Sequence, residues 1–152
     1  MPSRAAAAPR WPLVWRYLAF AAAANLVWEM AQLPLYTLAW TGTYAEIAYA
    51  VVHCTVGDIM IAAAALLPAM WALGGHGWPE RAYGRVAVAA VVLGIVYTVF
   101  SEWLNVEVRR SWEYTELMPR LPPLGTGLTP VLQWLILPPL GLAWVRRRSV
   151  VQ

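Results

Sequence analysis

Four apolar stretches, each close to or above the length that crosses a lipid bilayer, constrain this chain more than any other feature. About 20 predominantly apolar residues span the hydrocarbon core as a helix. Of the 152 residues, 61% are hydrophobic and 12% charged, about half the charged fraction of a typical soluble domain. The sequence therefore predicts an all-α integral membrane four-helix bundle that forms one domain over residues 1–152. The expected helices cover about residues 13–36, 47–73, 86–106 and 129–145.

All eleven basic residues are arginines, and their distribution predicts the orientation of the bundle. Eight lie near the N-terminus, between the second and third helices, or near the C-terminus: Arg4, Arg10, Arg16, Arg81, Arg85, Arg146, Arg147 and Arg148. Cytoplasmic segments of membrane proteins are enriched in Lys and Arg, so both termini are predicted to be cytoplasmic, as in a bacterial-type inner membrane protein. The net charge of +3 then reflects topology, and no nucleic-acid partner is expected.

Polar and ionisable side chains within the predicted spans are the candidates for function. Such residues are costly in lipid, face the bundle interior and often mark functional sites. Glu29, His53, Asp58 and Glu102 are the candidate catalytic residues, and we expect them to surround a pocket in the outer half of the bilayer. The candidate substrate-binding residues are Asn25, Trp28, Gln32, Tyr97, Trp103, Asn105 and Gln133.

Helical spacing predicts how some of these residues meet. Residues turn by about 100° each, so Asn25, Glu29 and Gln32 project from one face of the first helix. Asp58 lies near mid-membrane, where its partner is either a histidine or its own proton. Gly57 is expected to admit a neighbouring helix.

Two proline-rich segments affect the predicted architecture. The adjacent prolines Pro138–Pro139 predict a kinked or discontinuous fourth helix, because each lacks a backbone donor. Residues 107–128 form the one sizeable loop, rich in proline and glycine, which either covers the mouth of the pocket or simply connects two helices.

Several functions are compatible with the polar cluster. The amides and hydroxyls alone are typical of hydrogen bonds that hold membrane helices together. Carboxyl groups in a dry pocket favour a proton-transfer enzyme acting on an apolar, isoprenoid or other lipid-like ligand that enters from the bilayer. Metal binding, proton-coupled transport by a homo-oligomer, and an accessory-subunit role remain alternatives. No phosphate loop, dinucleotide fingerprint or cysteine-based metal motif is present, so no cofactor and no bound metal are expected.

Two short motifs resemble a known family. The first helix carries W-E-M-A-Q-L-P-L-Y at residues 28–36, and the second carries A-Y-A-V-V-H-C-T at residues 48–55. A Glu followed by Gln-Leu-Pro, then a helix with Tyr and His, resembles part of the EXPERA superfamily of emopamil-binding sterol isomerases and the sigma-2 receptor. The resemblance implies a small helical membrane core and isomerase-like activity, with Glu29 as an acid and His53 as its neighbour.

Overall fold

Five α-helices make up most of the computed structural model, which describes residues 11–150. Helix α1 (Trp11–Gln32) ends in a 3₁₀ turn at Leu33–Leu35, and the short α2 (Leu38–Thr41) leads into α3 (Tyr44–Ala69). Helices α3 and α4 (Tyr83–Trp103) each continue into a π-helical turn, at Met70–Gly74 and Leu104–Val108. Strands β1 (Arg120–Leu121) and β2 (Thr126–Gly127) form an antiparallel hairpin before α5 (Leu128–Val150).

The predicted helical membrane architecture is confirmed within the part of the chain that the structure describes. Four helical segments, built on α1, α3, α4 and α5, are long and apolar enough to cross a membrane. The cytoplasmic location of the termini and residence in an inner membrane stay predictions. Helix α1 ends just before Pro34, as expected of a residue without a backbone donor.

Helix α5 runs without interruption through Pro138 and Pro139. This segment packs closely on α1: a side-chain carbon at Gly141 would lie 2.6 Å from the Phe20 ring. Contacts with a neighbouring helix can maintain a membrane helix across proline, since they hold the backbone where hydrogen bonds are lost. Of the two predicted alternatives, the discontinuous helix was therefore wrong, and the kink stays a prediction.

The four long helices form a ring in which α1 and α4 each pack against both α3 and α5. Apolar side chains fill the end of the bundle near the start of α1 and the end of α5, where the largest fully buried side chains are Tyr17, Leu66, Val86, Leu142 and Val145. The opposite end, where α3 begins and α4 ends, is called here the loop end.

Two glycines show how the helices approach one another. A side-chain carbon at Gly94 would lie 2.1 Å from the Trp134 ring, so this glycine lets α5 pack directly on α4. At Gly57 such a carbon would meet no atom within 4 Å. The prediction that Gly57 admits a neighbouring helix is wrong, because this residue faces open space instead.

Candidate functional site

A cavity of about 1100 Å³ occupies the loop end of the bundle. All four candidate catalytic residues line it: Glu29, His53, Asp58 and Glu102. Among the candidate substrate-binding residues, the cavity wall includes Gln32, Tyr97, Asn105 and Gln133. Glu29 and Gln32, from the helical face predicted from sequence, thus lie at the same cavity.

Three candidate residues lie elsewhere. Among the residues described, Asn25, Trp28 and Trp103 are not part of the cavity wall. Asn25 is buried behind Gln133 and supports it. Trp28 is half-buried, while Trp103 is exposed and lies beside Phe100 at a ring separation of 6.2 Å. Neither indole lines this cavity, so the assignment of Trp28 and Trp103 as walls of a pocket stays a prediction.

Gln133 connects the polar residues of three helices. Its amide nitrogen donates to Asn25 Oδ1 at 2.8 Å and to Asp58 Oδ2 at 2.7 Å, and lies 3.4 Å from Glu29 Oε1. An amide has two hydrogens, so these three acceptors compete for them. Gln133 is almost fully buried, which makes it the centre of a network that ties α5 to α1 and α3.

Glu29 and Asp58 form a carboxyl pair beside this amide. Gln32 Nε2 donates to Glu29 Oε1 at 2.8 Å, and the Glu29 and Asp58 carboxyl groups lie within hydrogen-bonding reach of each other. Amides and a second carboxyl, rather than a basic side chain, are therefore the partners of these acids. His53 does not pair with Asp58, contrary to one of the two alternatives, because it is exposed and stacks on Tyr49 at 5.4 Å.

Glu102 has a partner that the sequence did not indicate. The Tyr114 hydroxyl, from the loop between α4 and α5, donates to Glu102 Oε2 and accepts from the Gly127 backbone N–H. Burial raises the pKa of the Tyr114 phenol, and the neighbouring Glu102 carboxyl raises it further. The phenol is thus held in its neutral form, in which it donates a hydrogen bond.

Asn105 behaves differently from the other candidate amides. Its amide nitrogen donates to the backbone oxygen of Ser101 at 2.8 Å and lies 3.3 Å from the Ser101 hydroxyl. The residue lines the cavity, but its own helix supplies these partners.

Apolar side chains of α3 and α4 form the rest of the wall. Met60 on α3 and Val96 and Phe100 on α4 line the cavity and are also exposed at the bundle surface. The cavity therefore extends to the bundle surface at a groove between α3 and α4. An apolar chamber with polar groups at one wall is typical of small-molecule sites.

The described residues around the cavity do not form a cluster of metal ligands. Within the part of the chain that the structure describes, no three His, Cys, Asp or Glu side chains are placed to hold a metal ion together. The metal-binding alternative thus has no ligand set there.

No protein family, no curated protein and no solved structure matches the chain. The resemblance to the EXPERA superfamily rests on the motifs in α1 and α3 alone. The fold and the site define the chain by class, as a polytopic helical protein of membrane-spanning character with an acid-lined cavity.

Proposed function

We propose that this protein binds a lipid-like molecule, such as an isoprenoid or a sterol-like compound, in the cavity and moves protons on it as an isomerase-like acid–base enzyme. The observation that carries the proposal is the composition of the cavity wall. It combines the carboxyl groups of Glu29, Asp58 and Glu102 with a groove of exposed apolar side chains between α3 and α4.

The size and position of the cavity favour a lipid-like ligand. A volume of about 1100 Å³ is slightly above the usual range for small-molecule sites. The groove beside Met60 and Val96 faces the bilayer, so a water-insoluble ligand has a direct route from lipid into the cavity. Inside, the polar end of the ligand meets the Glu29–Asp58 pair.

The carboxyl groups are arranged for proton transfer. Two carboxyls in contact hold a proton between them, because two like charges at that separation repel strongly. The Glu29–Asp58 pair accordingly donates a proton to one carbon of a double bond, and Glu102 removes a proton from the carbon next to the other end of that double bond. The double bond shifts with no net oxidation or reduction. Glu102 gains the proton that the pair loses, and His53 in the cavity wall relays one proton back to the pair.

The experiment that tests this proposal uses exchange with solvent deuterium. Purified protein in lipid nanodiscs is incubated in D₂O with one of two probes, a polyprenol or a sterol with one ring double bond. Extracted probes are returned to H₂O, and mass spectrometry then measures the deuterium that remains on carbon. Asp58→Asn removes the proton-carrying group with little change of shape, and Glu116→Gln is the matched control because Glu116 is exposed on the loop.

We expect carbon-bound deuterium in at least one probe, a loss of at least roughly a hundredfold in rate with Asp58→Asn, and no change with Glu116→Gln. The proposal fails if neither probe gains deuterium, or if Asp58→Asn exchanges as fast as the unmodified protein. Binding of a probe without exchange would favour the binding or transport alternative.

A further inference from the structure

The loop between α4 and α5 shields the acid at the loop end from water. Residues 109–127 cross this end of the bundle, and Arg109, Ser111 and Trp112 contribute to the cavity wall. Glu102, which the loop covers, is 8% exposed, and the loop residue Tyr114 is 6% exposed. The loop therefore has a buried inner surface, unlike a connector that merely runs through solvent.

Backbone hydrogen bonds attach this loop to the far side of the cavity. Thr37 N–H donates to the Glu113 carbonyl at 3.0 Å, and Thr115 N–H donates to the Leu35 carbonyl at 2.9 Å. These bonds place a bridge between Tyr36 and Tyr114. The loop thus reaches from the end of α4 to the end of α1.

Tyr114 joins the loop to Glu102. Its hydroxyl binds Glu102 and accepts from Gly127 N–H at 3.0 Å, while its ring lies 5.4 Å from the Tyr36 ring. A side-chain carbon at Gly127 would lie 3.1 Å from the Tyr114 ring, so the hairpin fits closely around the phenol.

We propose that residues 109–127 are a lid that separates the cavity from water, and that Tyr114 holds the lid closed by binding Glu102. The Tyr114 hydroxyl then both holds the lid closed and donates a hydrogen bond to Glu102, so opening the lid removes the hydrogen-bond partner of Glu102. The significance of a dry cavity rests on the proposed function, since proton transfer to a lipid benefits from excluded water. The lid itself can be tested without any substrate.

Cys54 provides the reporter for this test. It is the only cysteine in the chain, and it lines the cavity. Two methanethiosulfonates react with thiols by the same chemistry: the thiolate attacks sulfur, a mixed disulfide forms and a sulfinate leaves. The methyl reagent is small and neutral and dissolves in lipid, whereas the trimethylammonium-ethyl reagent is charged and remains in water.

Labelling rates are measured by intact-protein mass spectrometry on purified protein in nanodiscs, where both membrane faces contact buffer. Tyr114→Phe deletes the hydroxyl and keeps the ring, and Tyr114→Ala removes both. Tyr44→Phe is the matched control, because Tyr44 is almost fully exposed. Cys54→Ser gives the background.

We expect the neutral reagent to label the unmodified protein much faster than the charged one. The loss of a buried hydrogen bond in Tyr114→Phe should raise the charged-reagent rate about tenfold and change the neutral-reagent rate by less than about twofold. Tyr114→Ala should give at least the same selective rise, and Tyr44→Phe none.

Two results would overturn the lid. Equal rates for both reagents in the unmodified protein would show that the loop does not exclude water. An unchanged charged-reagent rate in Tyr114→Phe, or an equal rise with both reagents, would show that Tyr114 does not hold a lid. If Tyr114→Ala fails to fold, the result for Tyr114→Phe alone decides the test. A closed lid together with no deuterium exchange would reject the proposed reaction while leaving the lid intact.

Discussion

Replacing Gln133 by Leu tests whether the polar network at the cavity holds the bundle together. The variant removes the donor that serves Asn25 Oδ1 at 2.8 Å and Asp58 Oδ2 at 2.7 Å. The matched variant is Asn105→Leu, because the Asn105 amide bonds the backbone oxygen of its own helix at Ser101. Both amides line the same cavity, but only Gln133 connects different helices.

The hydrogen bonds of Gln133 and Asn105 determine how much free energy of unfolding each variant is expected to lose. Hydrogen bonds between membrane helices average about 0.6 kcal/mol, with a maximum near 1.7 kcal/mol. Gln133 makes two short bonds to groups that the bundle interior shields from water, so Gln133→Leu should lower the free energy of unfolding by about 1–3 kcal/mol. Asn105→Leu should change it by less than about 0.5 kcal/mol, since no bond between helices is lost.

The assay is reversible unfolding in mixed micelles titrated with sodium dodecyl sulfate, followed by far-ultraviolet circular dichroism. Equal losses in the two variants, or a larger loss with Asn105→Leu, would refute the assignment of Gln133 as the centre of the network. A gain in stability with Gln133→Leu would show that the network costs more than it contributes.

Three further predictions concern packing, capping and topology. Gly94→Ala should lower the free energy of unfolding by about 1–3 kcal/mol, because the new carbon would clash with Trp134. Gly57→Ala should cause no loss of stability, and the same detergent titration measures both variants. Thr43→Ala should cost about 1 kcal/mol in that titration, because Thr43 caps the N-terminus of α3 through a capping box. A phosphatase domain inserted in the loop of residues 109–127 should be active outside the cytoplasm, and activity only for a fusion at the C-terminus would reverse the proposed orientation.

The sequence predicted the helices and much of the cavity wall because both follow from local rules. Long apolar stretches can only be helices in lipid, and helical spacing places Asn25, Glu29 and Gln32 on one face. Polar side chains on such faces turn inward, which brings Asp58 and Gln133 to the same volume.

Features that depend on contacts between distant segments were not predictable. Tyr114 reaches Glu102 only because the loop crosses the bundle and bonds to the end of α1. No periodicity operates in a proline-rich loop, so no sequence signal distinguished this tyrosine. The surroundings of Gly57 and Gly94 were also not predictable, because composition does not show whether a glycine faces a helix or a cavity.

Photolabelling with a lipid-like probe tests the central claim, that a lipid-like molecule occupies the acid-lined cavity. A long-chain fatty alcohol with a diazirine next to its hydroxyl is added to the protein in nanodiscs, irradiated, and mapped by peptide mass spectrometry. We predict labels on Glu29 or Asp58, and their loss in Gly57→Leu, whose side chain would occupy the cavity. Gly84→Leu is the control, because its side chain also meets no atom within 4 Å yet lies outside the cavity wall. Labels confined to residues outside the cavity, or labels on Glu29 and Asp58 that persist in Gly57→Leu, would contradict the account.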